Sequence, residues 1–227
     1  MFEFMKSKLR PYFRSEDHGR LSYAHEGEDL VLANFLEGEI SSGYYLDIGA
    51  HHPVRFSTTY YFYRAGWRGL NVEPRPGSKA QFDKVRPGDI TLELGVSAQA
   101  GELEYFEFDE PALNGFDARL SHERREQTQY RLLGTRKIAV LPLREILEKH
   151  WPAGRPITYM NSDVEGLDLQ VLESNDWIRF RPNYLTVEVH GENLEDTLTT
   201  PISVFLRGVG YTAIAKTQRT AFYKDAS

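Results

Sequence analysis

The run Tyr44-Tyr45-Leu46-Asp47-Ile48-Gly49-Ala50, followed one βαβ repeat later by Gly69-Leu70-Asn71-Val72-Glu73-Pro74, constrains the fold more than any other stretch of the chain. Each segment reads as a buried strand. The first ends on small residues and the second on an acid. In an α/β sheet, a glycine at such a strand end lets the backbone approach a nucleoside, and a carboxylate on the next strand accepts hydrogen bonds from the ribose diol. The G-x-G-x-x-G run of a dinucleotide site is absent here. The pattern therefore points away from NAD and towards S-adenosylmethionine.

The rest of the chain keeps the same alternation. Helical spacing of apolar residues marks Gly27 to Leu36, Ser57 to Ala65, Ser78 to Val85, Leu143 to Lys149, Leu167 to Ser174 and Glu195 to Arg207. Strands are expected at Arg68 to Glu73, Ile90 to Ser97, Gly101 to Phe108, Lys137 to Val140, Ile157 to Asp163 and Asn183 to His190. Tyr211 to Ala215 and Thr220 to Tyr223 read as a closing hairpin. Between about 109 and 136 the pattern breaks into Asn114-Gly115 and a charged run from Arg119 to Arg131, which reads either as a lid-like insertion or as a solvated surface helix. No linker divides the chain. The simplest organisation is one doubly wound domain over 22–227, preceded by an N-terminal arm over 1–21.

Composition narrows the function. With 227 residues, 41% of them hydrophobic and 26% charged, the chain is long enough for one substantial core. A net charge of −6 argues against general nucleic-acid binding, which calls for a basic face. The absence of cysteine excludes disulfides, thiolate catalysis and cysteine-zinc sites, and fits the cytoplasmic location expected for this chain. No apolar run is long enough to span a membrane. The arm mixes Phe2, Phe4 and Phe13 with Lys6, Lys8 and Arg10. It reads as a segment packed on its own domain or frayed, or else as a docking segment for a partner or membrane surface.

Ligands of open α/β sheets sit beyond the carboxyl ends of the strands. The candidates are therefore Asp47 to His52, Glu73, Val96-Ser97, Asp163 to Glu165, and Glu188 to His190. Residues two apart on a strand point the same way. If the strand persists to Glu165, Asp163 and Glu165 face the cleft together, and Glu188 with His190 repeats that geometry on the neighbouring strand. Oxygen ligands and one imidazole suit Mg²⁺, Mn²⁺ or Ca²⁺, which makes the four groups Asp163, Glu165, Glu188 and His190 a candidate hard-cation site. Alternatively, one group of the set removes a proton from a substrate hydroxyl, or Glu165 caps the helix that follows. One of His51 and His52 is expected at the cofactor or substrate.

These residues and their order resemble the FkbM family of S-adenosylmethionine-dependent methyltransferases, over about Ser22 to Tyr223. The shared motifs are Ser22 to Asp29 with Gly27-Glu28-Asp29, Asp47 to Pro53, Ser57-Thr58-Thr59, Gly66-Trp67-Arg68-Gly69, Glu73-Pro74, Val96-Ser97, Asp163-Val164-Glu165-Gly166, and Arg181-Pro182 leading to Glu188. Pro53 replaces a glycine usual in the family's first motif. Asn161-Ser162-Asp163 replaces the common Lys-Ile-Asp, so a more polar strand end facing substrate is expected. The resemblance implies a Rossmann-like class I fold, with a mostly parallel seven-strand sheet whose last strand runs antiparallel.

It also implies cofactor contacts from Glu28, Asp47, Gly49, His51, Glu73, Val96 and Ser97, with Asp47 and Gly49 at the methionine end, Glu73 on the ribose and Val96-Ser97 at the adenine. Catalytic roles fall to His190, Glu165 and Asp163. The expected activity is O-methylation of a hydroxyl on a sugar or glycan precursor. A polyketide-like acceptor and a non-catalytic scaffold are the alternatives. The arginines of the 109–136 segment are candidates for binding phosphates of the acceptor.

Overall fold

The computed structural model describes residues 19–36, 42–189, 191 and 193–227. In chain order its elements are α1 (Glu28–Phe35), β1 (Tyr44–Ile48), α2 (Tyr60–Arg64), β2 (Arg68–Val72), α3 (Ser78–Val85), β3 (Ile90–Leu92), β4 (Gly95–Val96), β5 (Gly101–Phe108), a 3₁₀ turn (Pro111–Leu113), α4 (Ala118–Gln127), β6 (Leu132–Leu141), α5 (Leu143–His150), β7 (Tyr159–Ser162), α6 (Asp168–Glu173), β8 (Tyr184–Glu188), α7 (Leu194–Thr199), α8 (Pro201–Gly208), β9 (Tyr211–Lys216) and β10 (Thr220–Asp225). The main sheet runs β3-β2-β1-β7-β8-β10-β9. Its pairs are parallel except those of β10, which is antiparallel to both β8 and β9. This is the seven-strand sheet with an antiparallel last strand that the motifs lead one to expect. Residues 1–18 of the expected arm lie outside the described residues.

The central strands are covered on both faces, and register explains how. Leu46, Met160 and Leu185 stand side by side on β1, β7 and β8 and enter an aliphatic core with Leu143, Ile146 and Leu147 of α5. Tyr45, Tyr159 and Tyr184, one position earlier on each strand, point to the opposite face and pack with Leu32 of α1 and with Tyr61 and Phe62 of α2. The next row on that face is polar. Thr91, Asn71, Asp47, Asn161 and Thr186 lie in register across five strands, and all are buried. The Asn161 amide donates to Asp47 at 3.0 Å, and the Thr186 hydroxyl donates to the Asn161 carbonyl oxygen at 2.8 Å. The row is tolerated because its members satisfy one another.

Three expectations are corrected. The strand expected over Ile90 to Ser97 is two strands in two sheets, because the chain bends at Leu94, next to Glu93, whose carboxylate accepts from the Gly77 and Lys79 N–H groups at the start of α3. Beyond the bend, β4 joins a small sheet of order β4-β6-β5. The single helix expected over Glu195 to Arg207 is broken at Pro201. Thr200 is extended there, as residues before proline tend to be, and its hydroxyl caps α8 by accepting from Ser203 N. Finally, β7 stops at Ser162, and Glu165 and Gly166 turn with φ of 57° and 102°. The proximity of Asp163 and Glu165 therefore comes from a turn and not from strand pleat.

Candidate active site

A cavity of about 590 Å³ opens at the carboxyl ends of β1, β2, β7 and β8. Glu28, Asp47, Gly49, His51, Glu73, Val96, Asp163, Glu165 and Glu188 all line it. Of the residues expected at the site, Ser97 is not in the lining; it is buried, with its N–H on the Leu141 carbonyl. His190 lies outside the described residues. Backbone strain gathers here as well. Among the described residues, three non-glycine residues have left-handed φ, namely His51 (53°), Phe56 (56°) and Glu165 (57°), and all three line the cavity. Such conformations cost about 1–3 kcal/mol and persist where the surroundings enforce them, commonly at functional sites.

Gly49 shows why β1 ends on a glycine. Its φ is 75°, and a Cβ placed there would lie 1.8 Å from the Asp163 carbonyl oxygen. The absence of a side chain lets β1 and β7 close together at their carboxyl ends. Two residues on, the His51 N–H donates to Glu73 at 2.7 Å, and the Arg75 N–H donates to the other Glu73 oxygen at 2.9 Å. These bonds aim the Glu73 carboxyl without exhausting its acceptor capacity. Burial pushes its pKa up to about 7, against the pull of the two N–H donors. The His51 imidazole is driven down to about 4, first by burial and then by Arg55 and Arg75, so it is neutral. Its buried Nε2 has no partner among the described residues. A buried carboxyl with open lone pairs and a neutral imidazole with an unmatched nitrogen fit a nucleoside with a ribose diol.

Asp47 is more deeply held. Its oxygens accept from Thr59 Oγ1 at 2.5 Å and from Asn161 Nδ2 at 3.0 Å. Burial raises its pKa, and the Thr59 hydroxyl is the largest opposing influence. Glu28, at the start of α1, accepts from Glu26 N at 2.7 Å and from Thr220 Oγ1 at 3.2 Å. The polar strand end at Asn161-Ser162 also turns inward. Asn161 serves Asp47 and Thr186, and Ser162 donates to Asp168 at 2.7 Å. Asn161 lines the cavity, whereas Ser162 does not.

Beside this region is a group of carboxyls. One oxygen each of Asp163, Glu165 and Glu188 lies within 4.8 Å of the others. Asp163 touches solvent, yet the protein around it makes it behave as a buried acid. Burial, then Glu188 and Glu165, raise its pKa strongly. Glu188 is raised too, by burial, then by Glu165 and Asp168. Two acids this close do not both ionise readily, so the pair tends to retain a proton. Glu165 differs because it accepts from the Arg124 guanidinium of α4, and it does not cap α6.

The segment between β5 and β6 covers the cavity. Glu110 to Phe116, Arg124 and Tyr130 all line it. Two ion pairs fasten it down: Arg55 to Glu110, with both distances 2.9 Å, and Arg124 to Glu165, with Arg124 also donating to the Leu113 carbonyl at 2.7 Å. Other arginines of the region are likewise matched to acids, Arg119 to Glu123, Arg131 to Asp109 and Arg136 to Glu107. Arg125 of α4 is exposed and stands outside these pairs.

Arg86 was not singled out by sequence reasoning, because a lone arginine after an amphipathic helix resembles any surface cation. It is completely buried. Its only sequence signal is its place one residue past α3, where Phe82 precedes it on the apolar face.

The chain matches the family described as the methyltransferase FkbM domain over residues 47–213. Among solved structures, a METTL16 methyltransferase domain is similar at 13% identity and a TM-score of 0.48, over 99% of this chain and 78% of that one. The human methyltransferase 10 domain containing protein is similar at 12% identity and 0.42, over 98% and 92%. No curated protein shows significant sequence similarity to the chain. The family match takes in the end of β1 with its glycine turn, Glu73, the carboxyl group at β7 and β8, and the strands from β2 to β8, and the protein thus belongs to the FkbM family of S-adenosylmethionine-dependent methyltransferases.

Proposed function

We propose that the protein methylates a hydroxyl of a sugar or glycan precursor. The observation that carries this reading is one cavity lined both by a ribose-type carboxyl, Glu73, and by the Asp163–Glu188 carboxyl pair. When bound, S-adenosylmethionine supplies a sulfonium methyl already activated towards an oxygen nucleophile. Glu73 accepts hydrogen bonds from the ribose diol, His51 and Val96 flank the base and sugar, and Glu28 and Asp47 face the methionine end. Asp163 or Glu188, in its ionised form, receives the acceptor's hydroxyl proton as that oxygen attacks. The segment 110–130 acts as a lid that keeps the acceptor in line and water out. With the cavity-lining arginines Arg55, Arg124 and Arg219 each beside an acid, an uncharged polyol suits the cavity better than a phosphorylated one.

The same carboxyl pair suits a hard divalent cation, a second reading favoured by the 4.8 Å grouping, with His190 as a further candidate ligand. The test is methyl transfer from S-adenosylmethionine to a panel of neutral glycosides, read by mass spectrometry, before and after EDTA. Methylated glycoside formed by wild type, lost in Asp163→Asn and Glu188→Gln, supports the proposal. Methylation confined to nitrogen or carboxyl acceptors contradicts it. Loss on EDTA with recovery on Mg²⁺, Mn²⁺ or Ca²⁺ selects the cation; indifference selects the proton-accepting pair.

A further inference from the structure

The Arg86 guanidinium is one of the largest fully buried side chains of the molecule. Burying a charge is costly unless every donor is matched. Here the matches converge on one segment. Nε donates to the Pro53 carbonyl at 2.8 Å, Nη2 to Ser57 Oγ at 2.6 Å, and Nη1 to Thr59 Oγ1 at 2.9 Å and Asn71 Oδ1 at 3.4 Å. Asp89 lies 3.9 Å away as the counter-charge. Phe82 and the rings of Tyr60 and Tyr63 enclose the cation, 5.2–5.7 Å from it.

We infer that Arg86 is a positioning residue for cofactor binding, which braces the 53–59 segment and, through the Thr59 hydroxyl, holds the Asp47 carboxylate in place. The chain of contacts is continuous: guanidinium to Thr59 Oγ1, then Thr59 Oγ1 to Asp47 Oδ2 at 2.5 Å. Phe56, Ser57 and Thr58 of the braced segment, as well as Asp47, line the cavity, whereas Arg86 does not. Its hold on Pro53 and Ser57 also fixes the path of the turn at the proline that replaces the family's usual glycine. The inference rests on the proposed role of Asp47 at the methionine end of the cofactor.

Calorimetry with S-adenosylhomocysteine on wild type, Arg86→Met, Asp47→Asn and the double variant tests it. Residues that act through a shared contact show non-additive losses. Arg86→Met is expected to weaken binding about tenfold in the wild-type background, and by less than about twofold once Asp47→Asn is present. Equal losses in both backgrounds, or no loss in Arg86→Met, overturn the inference and leave the assignment of Asp47 intact. Undiminished binding in Asp47→Asn alone overturns that assignment and the inference with it. Should Arg86→Met fail to fold, Thr59→Val breaks the relay while the guanidinium keeps Pro53 and Ser57. Weakened binding there supports the inference, and wild-type affinity overturns it.

Discussion

Glu73 couples ligand binding to pH. Its carboxyl titrates near 7 in the folded protein against an ordinary value of 4.5. The ionised form is the better acceptor for a ribose diol, so S-adenosylhomocysteine affinity is expected to fall as pH drops below about 7, by up to about tenfold per pH unit. Calorimetry between about pH 5.5 and 8 checks this. The same shift acts on stability with a definite sign. A raised acid favours the folded state fully below its unfolded pKa, and that contribution is lost as pH rises through the folded pKa. Glu73→Gln, which does not titrate, should therefore gain stability relative to wild type between about pH 4.5 and 7, by at most about 3 kcal/mol, read as a rising difference in melting temperature. Gly49 has a steric role instead. Gly49→Ala would need to shift the Asp163 carbonyl and hold alanine at a φ of 75°, and should cost at least about 2 kcal/mol of stability in denaturant unfolding.

At the scale of elements, the segment between β5 and β6 is defined by what fastens it. Arg55→Ala with Arg124→Ala removes both ion pairs across the cavity mouth. Hydrogen exchange over 110–130 is expected to quicken while exchange in β1, β7 and β8 stays unchanged; equal protection in the variant would show that packing alone holds this segment. Elements were legible in the sequence where period and punctuation agreed. Ser78–Val85 and Gly101–Phe108 fall where the spacing predicts them. The β3–β4 break was not legible, because the Glu93 carboxylate next to the bend is matched to N–H groups brought near only by folding. Pro201 did carry a signal, a proline inside a helical pattern, and the apolar period masked it.

For the whole molecule, the strand order β3-β2-β1-β7-β8-β10-β9 gathers residues from positions 25 to 220 around one cavity. The strand-end rule was enough to find most of them, since Asp47 is the penultimate residue of its strand, Glu188 the last of its own, and Glu73 and Asp163 follow the last residue of theirs. It reached Asp47 but not the row that joins it to Asn71, Thr91, Asn161 and Thr186, nor Arg86, because side-chain layers across a sheet depend on register, which a linear sequence does not display. The candidate site therefore has a legible rim and a support that only the folded molecule reveals. Among the described residues no helix is long and apolar enough to cross a membrane.

The most direct measurement is a crystal structure with S-adenosylhomocysteine bound. The ribose hydroxyls should lie within hydrogen-bonding distance of Glu73, with the methionine end towards Asp47 and the sulfur turned to the side of the cavity that holds Asp163 and Glu188. A nucleoside bound away from the turn at Gly49, or a ribose that makes no contact with Glu73, would contradict the account.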